Sequence, residues 1–474
     1  WYVDRHYGIV IDAGSSGSRL LIYSWKSSNN PVHNATSLPL IEKAFPDDRK
    51  PWSKAIEPGI SSLATQRLGT LPTLKSVRKY LKPLLGFAAK SIPRHLHAST
   101  PVYLLATAGM RLVPQEAQDR ILQYSCETVR KYYRFDLSGG CARQFRIISG
   151  EAEGIFGWVA VNYLHGGFEE PRLQRPPPRE GSPSTYGFLD MGGASMQIAF
   201  EPRESMKMSH EQDLTRFTLR TAGGHNIHHE IFVTSFLGFG VNEARRRYLE
   251  GIALEADETT PAPPLLQDPC LPHNLQIPPD RYTHRLRDPK PTLVGTGDLR
   301  RCLALVTPYL RKEAPCSHEP CLFNGVAAPI TDFAQHRFIG VSEYYYTPRA
   351  VQGGAGAYHF DEFVGNAEGI CGSAWEELRG HAGRLDAVEE GRLKLRCFKS
   401  AWVLEVLHDG FGIPRQETIG ARGGGEAFEP AKELNGFPIS WTMGAMLFHV
   451  SSTIPPSGGG KGGSGVLARD TPKL

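Results

Sequence analysis

Residues 187–202 read GFLDMGGASMQIAFEP, and they echo residues 8–25, GIVIDAGSSGSRLLIYSW. Each stretch opens with a short apolar run that predicts a buried strand, Phe188–Leu189 in one and Ile9–Ile11 in the other. Each sets an aspartate at the strand end, Asp190 or Asp12. Each then turns through small residues, Met191-Gly192-Gly193-Ala194-Ser195 or Ala13-Gly14-Ser15-Ser16-Gly17-Ser18. Each resumes an apolar run, Ile198–Phe200 or Leu20–Tyr23, as the return strand of a hairpin. One such unit alone reads as an ordinary hairpin with a solvated aspartate. Two copies about 180 residues apart, in the same order, argue for a duplicated device.

Its chemistry follows from its residues. Glycines let a backbone approach a bulky anion, and successive N–H groups in a tight turn form an anion-binding nest. Gly14, Ser15, Ser16, Gly17 and Ser18 would make one phosphate loop, and Gly192, Gly193, Ala194 and Ser195 the other. A carboxylate beside a phosphate nest repels the ligand unless a divalent cation lies between them. Asp12 and Asp190 therefore predict Ca²⁺ or Mg²⁺, with Mn²⁺ a third choice, held through water. Two facing copies would clamp a polyphosphate from both sides.

The rest of the chain sets limits. Its 474 residues suffice for two domains, and 40% hydrophobic with 22% charged content suits a soluble globular protein. A net charge of +4 is too weak and dispersed to argue for nucleic acid. Position 1 is Trp, which reads as a trimmed or processed start, and no signal peptide is expected within this stretch. No run of 18 apolar residues could span a bilayer, so any membrane anchor is expected outside this stretch. Eight cysteines, without CxxC or metal-finger spacing, favour disulfides in a secretory lumen over zinc. Asn34-Ala35-Thr36 is a glycosylation sequon that supports this compartment weakly.

Along the chain, Leu68–Ser91 has helical spacing, Val102–Leu105 and Phe145–Ile148 read as strands, and a helix runs from about Glu151 to Leu164. Gly166–Thr185 reads as a surface insertion and Leu254–Asp288 as a long loop tied at Cys270. Phe232–Gly240 is strand-like and leads into a helix at Val241–Glu250. Further helices fall at about Phe398–Gly410 and Trp441–Val450, and the tail 455–474 is expected to be flexible. His225, His228 and His229 fit no metal spacing and read as a polar loop. Glu153 sits in the first turn of the Glu151–Leu164 helix, where the helix N-terminus favours an ionised carboxylate. Such a group can take a proton from water attacking phosphorus, although alone it reads as a capping residue.

Five ordered segments decide between those readings: IVIDAGSSGSR, LLATAGMRLVP, IISGEAEGIFGWVAVNYL, FLDMGGASMQIAF and SWTMGAM. Together they resemble the apyrases, the nucleoside triphosphate diphosphohydrolases, over Gly8 to about Val450. FLGFGVNEARRRY, GTGDLRRC, PCLFNG and CFKSAWVLEVLHDGFGIP resemble the Golgi and lysosomal branch, and its fungal-type Golgi members most of all. The resemblance implies an α/β, two-domain actin/Hsp70-like (ribonuclease H-like) fold with the active site in the interdomain cleft. Residues 1–150 and 427–454 would form the first domain, and 151–426 the second, disulfide-rich one.

By resemblance, Asp12 and Asp190 hold the metal through water, Thr107 stands near it, and Glu153 is the catalytic base. Ser195 and Gln197 orient the attacking water, and Trp441 packs near the metal. Tyr346, Tyr344 and Arg392 would stack on the nucleobase, with Tyr345 turned away by strand alternation. Arg19 and Arg111 rank as structural first. Met196 stands where threonine is usual and is expected to change only packing. Even count and local spacing, which resemble the family's pairing, imply Cys126–Cys141, Cys270–Cys302, Cys316–Cys321 and Cys371–Cys397.

The function implied is hydrolysis of nucleoside di- and triphosphates in a Golgi lumen, by a membrane-anchored enzyme that clears nucleoside diphosphates left by glycosyltransferases. Two rivals use the same fold logic. A sugar kinase needs an aspartate base and an acceptor pocket, and neither is evident. A nucleotide-switched binding protein fits poorly with Gly150–Gly154 and the cysteine-rich second half.

Overall fold

The computed structural model describes residues 5–26, 36–44, 51–64, 71–168, 185–257, 265–278, 290–329, 331–333, 336–353, 357–383, 385–415 and 427–457. Asn34 of the sequon and residues 458–474 of the expected tail lie outside them.

The N-terminal hairpin pairs β1 (Arg5–Ala13) with β2 (Ser18–Lys26), and Asp12 sits opposite Arg19. β3 (Glu42–Lys43) and β4 (Ser53–Ile56) pair with β2. β5 (Val102–Ala106) adds parallel to β1, and β6 (Phe145–Ile147) parallel to β5. The second hairpin, β7 (Gly187–Met191) and β8 (Ser195–Phe200), sets Asp190 opposite Gln197. β9 (Leu214–Arg220) and β10 (Asn226–Leu237) extend it through β8. A small separate sheet holds β11 (Leu265–Asp268), β12 (Gln276–Ile277) and β13 (Thr292–Gly295). β14 (Phe338–Ser342) runs parallel to β7, and β15 (Phe428–Pro430) parallel to β14. The two large sheets read β3–β2–β1–β5–β6 and β9–β10–β8–β7–β14–β15. With β4 and the edge strand β9 set aside, each is one antiparallel hairpin with a third strand on one side and two parallel strands on the other. The repeat in the sequence is thus a repeat in topology.

Between the sheets lie two helices that the sequence marks by being apolar all round, which a helix can be only when covered on every side. The central helix, Gly150–His165, buries nearly every residue, and it is capped by the Ser149 hydroxyl on the Ala152 N–H. It crosses the C-terminal helix, Trp441–Thr453. A Cβ at Gly444 would fall on the Phe156 carbonyl, so glycine there sets how close the two helices come. One core joins Val10, Leu21 and Tyr23 of the first sheet, both helices, and Phe188, Ala199 and Phe217 of the second. The outer face of the first sheet is covered by the helices Leu74–Ser91 and Gln115–Tyr132. That of the second is covered by Val241–Asp257, Glu343–Gln352 and Arg396–Leu404 among others.

Several expectations are corrected. Phe428–Pro430 is a strand of the second sheet, so the domain boundary expected at 427 falls on the wrong side of it. Leu254–Asp288 is not one loop: the helix continues to Asp257, and β11 and β12 follow. Residues 258–264 and 279–289 lie outside the described set. His228 and His229 lie on β10 rather than in a loop, and alternation sends them apart. His228 meets Thr218, while His229 packs against Trp158 and Phe217. Tyr344, Tyr345 and Tyr346 belong to the helix Glu343–Gln352, not to a strand, because β14 stops at Ser342, whose φ of 57° turns the chain. The four disulfides are Cys126–Cys141, Cys270–Cys302, Cys316–Cys321 and Cys371–Cys397, as the resemblance implies.

Candidate active site

The two hairpin turns face each other across a cleft of about 240 Å³. Asp12, Gly14, Ser15, Ser16, Gly17 and Arg19 line it from the first sheet, and Asp190, Gly192, Gly193, Ala194 and Ser195 from the second. Thr107, Glu153, Ser342 and Trp441 also line it.

The second turn is held from behind. The carbonyls of Gly192, Gly193 and Ala194 accept from the N–H groups of Val241, Asn242 and Gly238 at 2.8–3.0 Å. A trans peptide points its N–H opposite its carbonyl. The N–H groups of Gly193, Ala194 and Ser195 are therefore turned away from this support. A Cβ on Gly193 would lie 2.7 Å from the Ser15 Oγ and 2.6 Å from the Asn242 Nδ2, so only glycine lets the first turn approach. Asn242 also donates to the Ser16 Oγ at 3.2 Å and links the two turns directly.

Glu153 projects from the first turn of the central helix and is buried. Arg111 Nη2 donates to its Oε2 at 2.8 Å, and Gln197 Nε2 reaches the same oxygen at 3.4 Å. Gln197 also donates to Ser195 Oγ at 2.8 Å and Ser235 Oγ at 3.0 Å. Cross-strand pairing of Asp190 with Gln197 carries this network to the metal-binding carboxylate expected from the sequence.

Burial dominates the electrostatics. It pushes Glu153 up to about 8, against the pull of Arg111 and helped by Asp190 and Asp12. It pushes Asp12 up to about 7, opposed by Arg19, and Asp190 up to about 6, opposed by a hydrogen bond from Ser342. At Glu153 desolvation thus works against the helix N-terminus, which favours the ionised form. Asp190 Oδ1 is buried without a hydrogen-bond partner. An orphaned oxygen beside two further carboxylates is the donor set that suits a hard divalent cation.

The other site candidates divide. Thr107 is buried at the end of β5, and its side chain makes no capping bond. Ser18 lies outside the cleft: it pairs with Ala13 in the sheet, and its hydroxyl meets Tyr80 Oη at 2.8 Å. Tyr344 is fully buried, with its hydroxyl on Met196 Sδ at 3.6 Å, and so offers no face to a base. Met196 is core, as expected of a packing substitution. Tyr346 is 52% exposed and Arg392 is exposed, but neither lines the cleft. Ser235, Ser342 and Asn242 escaped the sequence reading, since isolated serines carry no pattern. Asn242 stood inside GFGVNEA, at the helix start that supports the second turn.

The chain matches the GDA1/CD39 (nucleoside phosphatase) family over residues 3–457. It belongs to that family. Relatives in the GDA1/CD39 family include the Golgi apyrase of Schizosaccharomyces pombe, 39% identical over 94% of this chain and 76% of that protein. The Golgi apyrase of Saccharomyces cerevisiae is 36% identical over 94% and 71%. A nucleoside-diphosphatase, mig-23, of Caenorhabditis briggsae is 32% identical over 94% and 77%. Among solved structures, a nucleoside triphosphate hydrolase of Neospora caninum superposes with a TM-score of 0.60 at 15% identity, covering 95% of this chain and 93% of that one. The GDA1/CD39 chain has the two-domain actin/Hsp70-like fold expected of it.

Proposed function

We propose that the protein hydrolyses the terminal phosphate of nucleoside tri- and diphosphates with the help of a divalent cation. It is an enzyme, a phosphoanhydride hydrolase of the apyrase kind. The meeting of Glu153, Gln197 and Ser195 between two facing glycine turns carries this reading.

The turns Gly14–Gly17 and Gly192–Ser195 hold the phosphates with backbone N–H groups and serine hydroxyls. Ser18 has no part in this. Asp12 and Asp190 would hold Ca²⁺ or Mg²⁺, with Mn²⁺ a third choice. Bound there, the cation would neutralise phosphate oxygens and stabilise charge on the leaving group. Glu153 takes the proton of the attacking water, and Ser195 with Gln197 orients that water in line with the scissile bond. Thr107 lines the same space, and Trp441 closes it against solvent. Positioning and electrostatics supply most of the rate, with no covalent intermediate. Tyr346, one helical turn beyond Ser342, stacks on the base, with Arg392 as its partner.

Residues 1–150 with 431–454 make the first domain in this reading, and 151–430 the second. The likeness to two Golgi apyrases and the four disulfides support a Golgi lumen and, there, clearance of the UDP and GDP that glycosyltransferases release.

The test is phosphate release from UDP, GDP, ADP and ATP, in Ca²⁺ or Mg²⁺ and in EDTA, by wild type and Glu153→Gln. Wild type should require the cation. The variant should bind nucleotide but turn over on the order of 10²-fold more slowly, as for a lost general base. Near-normal turnover by Glu153→Gln, or full activity in EDTA, counts against the reading.

A further inference from the structure

On the second sheet, at the start of β9, two imidazoles and a carboxylate converge. His210 and Asp213 come from the turn before Leu214, and His318 from the short loop closed by Cys316–Cys321. Asp213 Oδ2 lies 3.2 Å from His210 Nδ1 and 2.8 Å from His318 Nε2. One atom from each of the three residues falls within 4.8 Å of the others. The His210 side chain is 6% exposed, that of Asp213 15% and that of His318 29%, so the group is sheltered yet reachable.

His318 Nε2 lies 2.8 Å from Asp213 Oδ2 and 3.2 Å from the Gln212 amide nitrogen. A cation would accept the imidazole lone pair and the carboxylate together, and the Gln212 amide, turned over, would offer its oxygen to the same ion.

We propose that His210, Asp213 and His318 form a binding site for Zn²⁺ or a similar borderline transition metal, separate from the cleft. Two imidazoles and one carboxylate favour such a metal over Ca²⁺ or Mg²⁺, which take oxygen ligands. Four ligands at about 2.0 Å around Zn²⁺ lie roughly 3.3 Å apart, and Asp213 Oδ2 already lies 3.2 Å and 2.8 Å from the two imidazole nitrogens. Ser317 Oγ, 3.0 Å from His318 Nδ1, supplies the outer hydrogen bond that fixes a ligating imidazole. The two segments are 105 residues apart in sequence at Asp213 and His318, so the metal ties the disulfide loop to the sheet edge. Cys316 and Cys321 are spent in their disulfide and donate nothing.

The protein is stripped with a chelator, returned to excess Ca²⁺ to satisfy the oxygen donors of the cleft, and titrated with Zn²⁺ by calorimetry. One site of micromolar or better affinity is expected, with a rise in Tm of several degrees. His318→Ala and His210→Gln should lose both effects, while His228→Ala keeps them. His318→Ala should retain apyrase activity in Ca²⁺, which reports that it folds. Co²⁺ in place of Zn²⁺ should give the visible absorption of a four-coordinate nitrogen–oxygen site in wild type, a readout that needs no variant. Absence of Zn²⁺ binding at submillimolar metal, or equal binding by wild type and both histidine variants, overturns the proposal. So does a Co²⁺ spectrum showing octahedral oxygen ligation alone.

Discussion

Arg111 Nη2 donates to Glu153 Oε2 at 2.8 Å, while its Nε donates to the Ile148 carbonyl at 3.0 Å. The arginine thus fixes the carboxylate against the last turn before the central helix and lowers the pKa that burial raises. Arg111→Gln should cut kcat/KM at neutral pH by about tenfold or more and move the acid limb of the pH profile to higher pH, since an unpaired buried carboxyl ionises later. Arg111→Lys should restore the limb in part. A loss of rate with the limb unmoved would assign Arg111 to the phosphate instead.

Cation binding should show a pH signature. Without a cation, burial holds Asp190 at about 6, Asp12 at about 7 and Glu153 at about 8. The same groups in an unfolded chain titrate near ~4. The folded protein therefore binds more protons than the unfolded chain between those limits, and these three groups lower stability as pH rises through that window. A cation requires the charged forms, so its stabilising effect grows over the same window. The Tm difference between Ca²⁺ and EDTA samples should be larger at pH 8 than at pH 6, and Asp190→Asn should flatten it. A difference independent of pH would mean that the cation binds elsewhere.

Much of this was legible from periodicity. The two hairpins repeat in order and in topology, and an apolar stretch with Glu153 in its first turn became the central helix. The rest is what a linear pattern does not hold. The ionisation of Glu153 depends on how much protein covers it, and neighbours from three elements decide that. Tyr344–Tyr346 reads as a strand because aromatics favour strands. The positive φ at Ser342 ends β14 first and sends the run into a helix. Ser18 looked like part of the turn, but the hairpin register makes it the first return-strand residue, facing the outer helix.

Ser18 gives a direct test of that register. Its hydroxyl meets Tyr80, whose own hydroxyl also donates to the Pro58 carbonyl at 2.7 Å. Ser18→Ala should lower stability by about 1 kcal/mol, the usual worth of one such bond, and leave KM for nucleotide unchanged. Denaturant unfolding and steady-state kinetics read both. A rise in KM of tenfold with stability intact would return Ser18 to the phosphate loop.

The helix, in place of the expected strand, also separates the three tyrosines by role. Tyr344 is sealed beneath Asp190 and Met196, whereas Tyr346 is 52% exposed and leans edge-on against Tyr345 at 5.4 Å. Only an exposed ring can stack on a base, and stacking reads flatness rather than base identity, so several nucleoside diphosphates should be accepted. Tyr346→Ala should raise KM for nucleotides by roughly tenfold, in line with ~1–3 kcal/mol for aromatic–base stacking. It should leave inorganic tripolyphosphate hydrolysis and Tm unchanged. Tyr344→Ala should instead lower Tm by several degrees through the cavity it leaves, ~3–5 kcal/mol for a buried aromatic, and reduce activity on nucleotide and tripolyphosphate alike. Equal losses on both substrates for Tyr346→Ala would withdraw the stacking role, and an unchanged Tm for Tyr344→Ala would mean that the buried ring carries none of the support assigned to it.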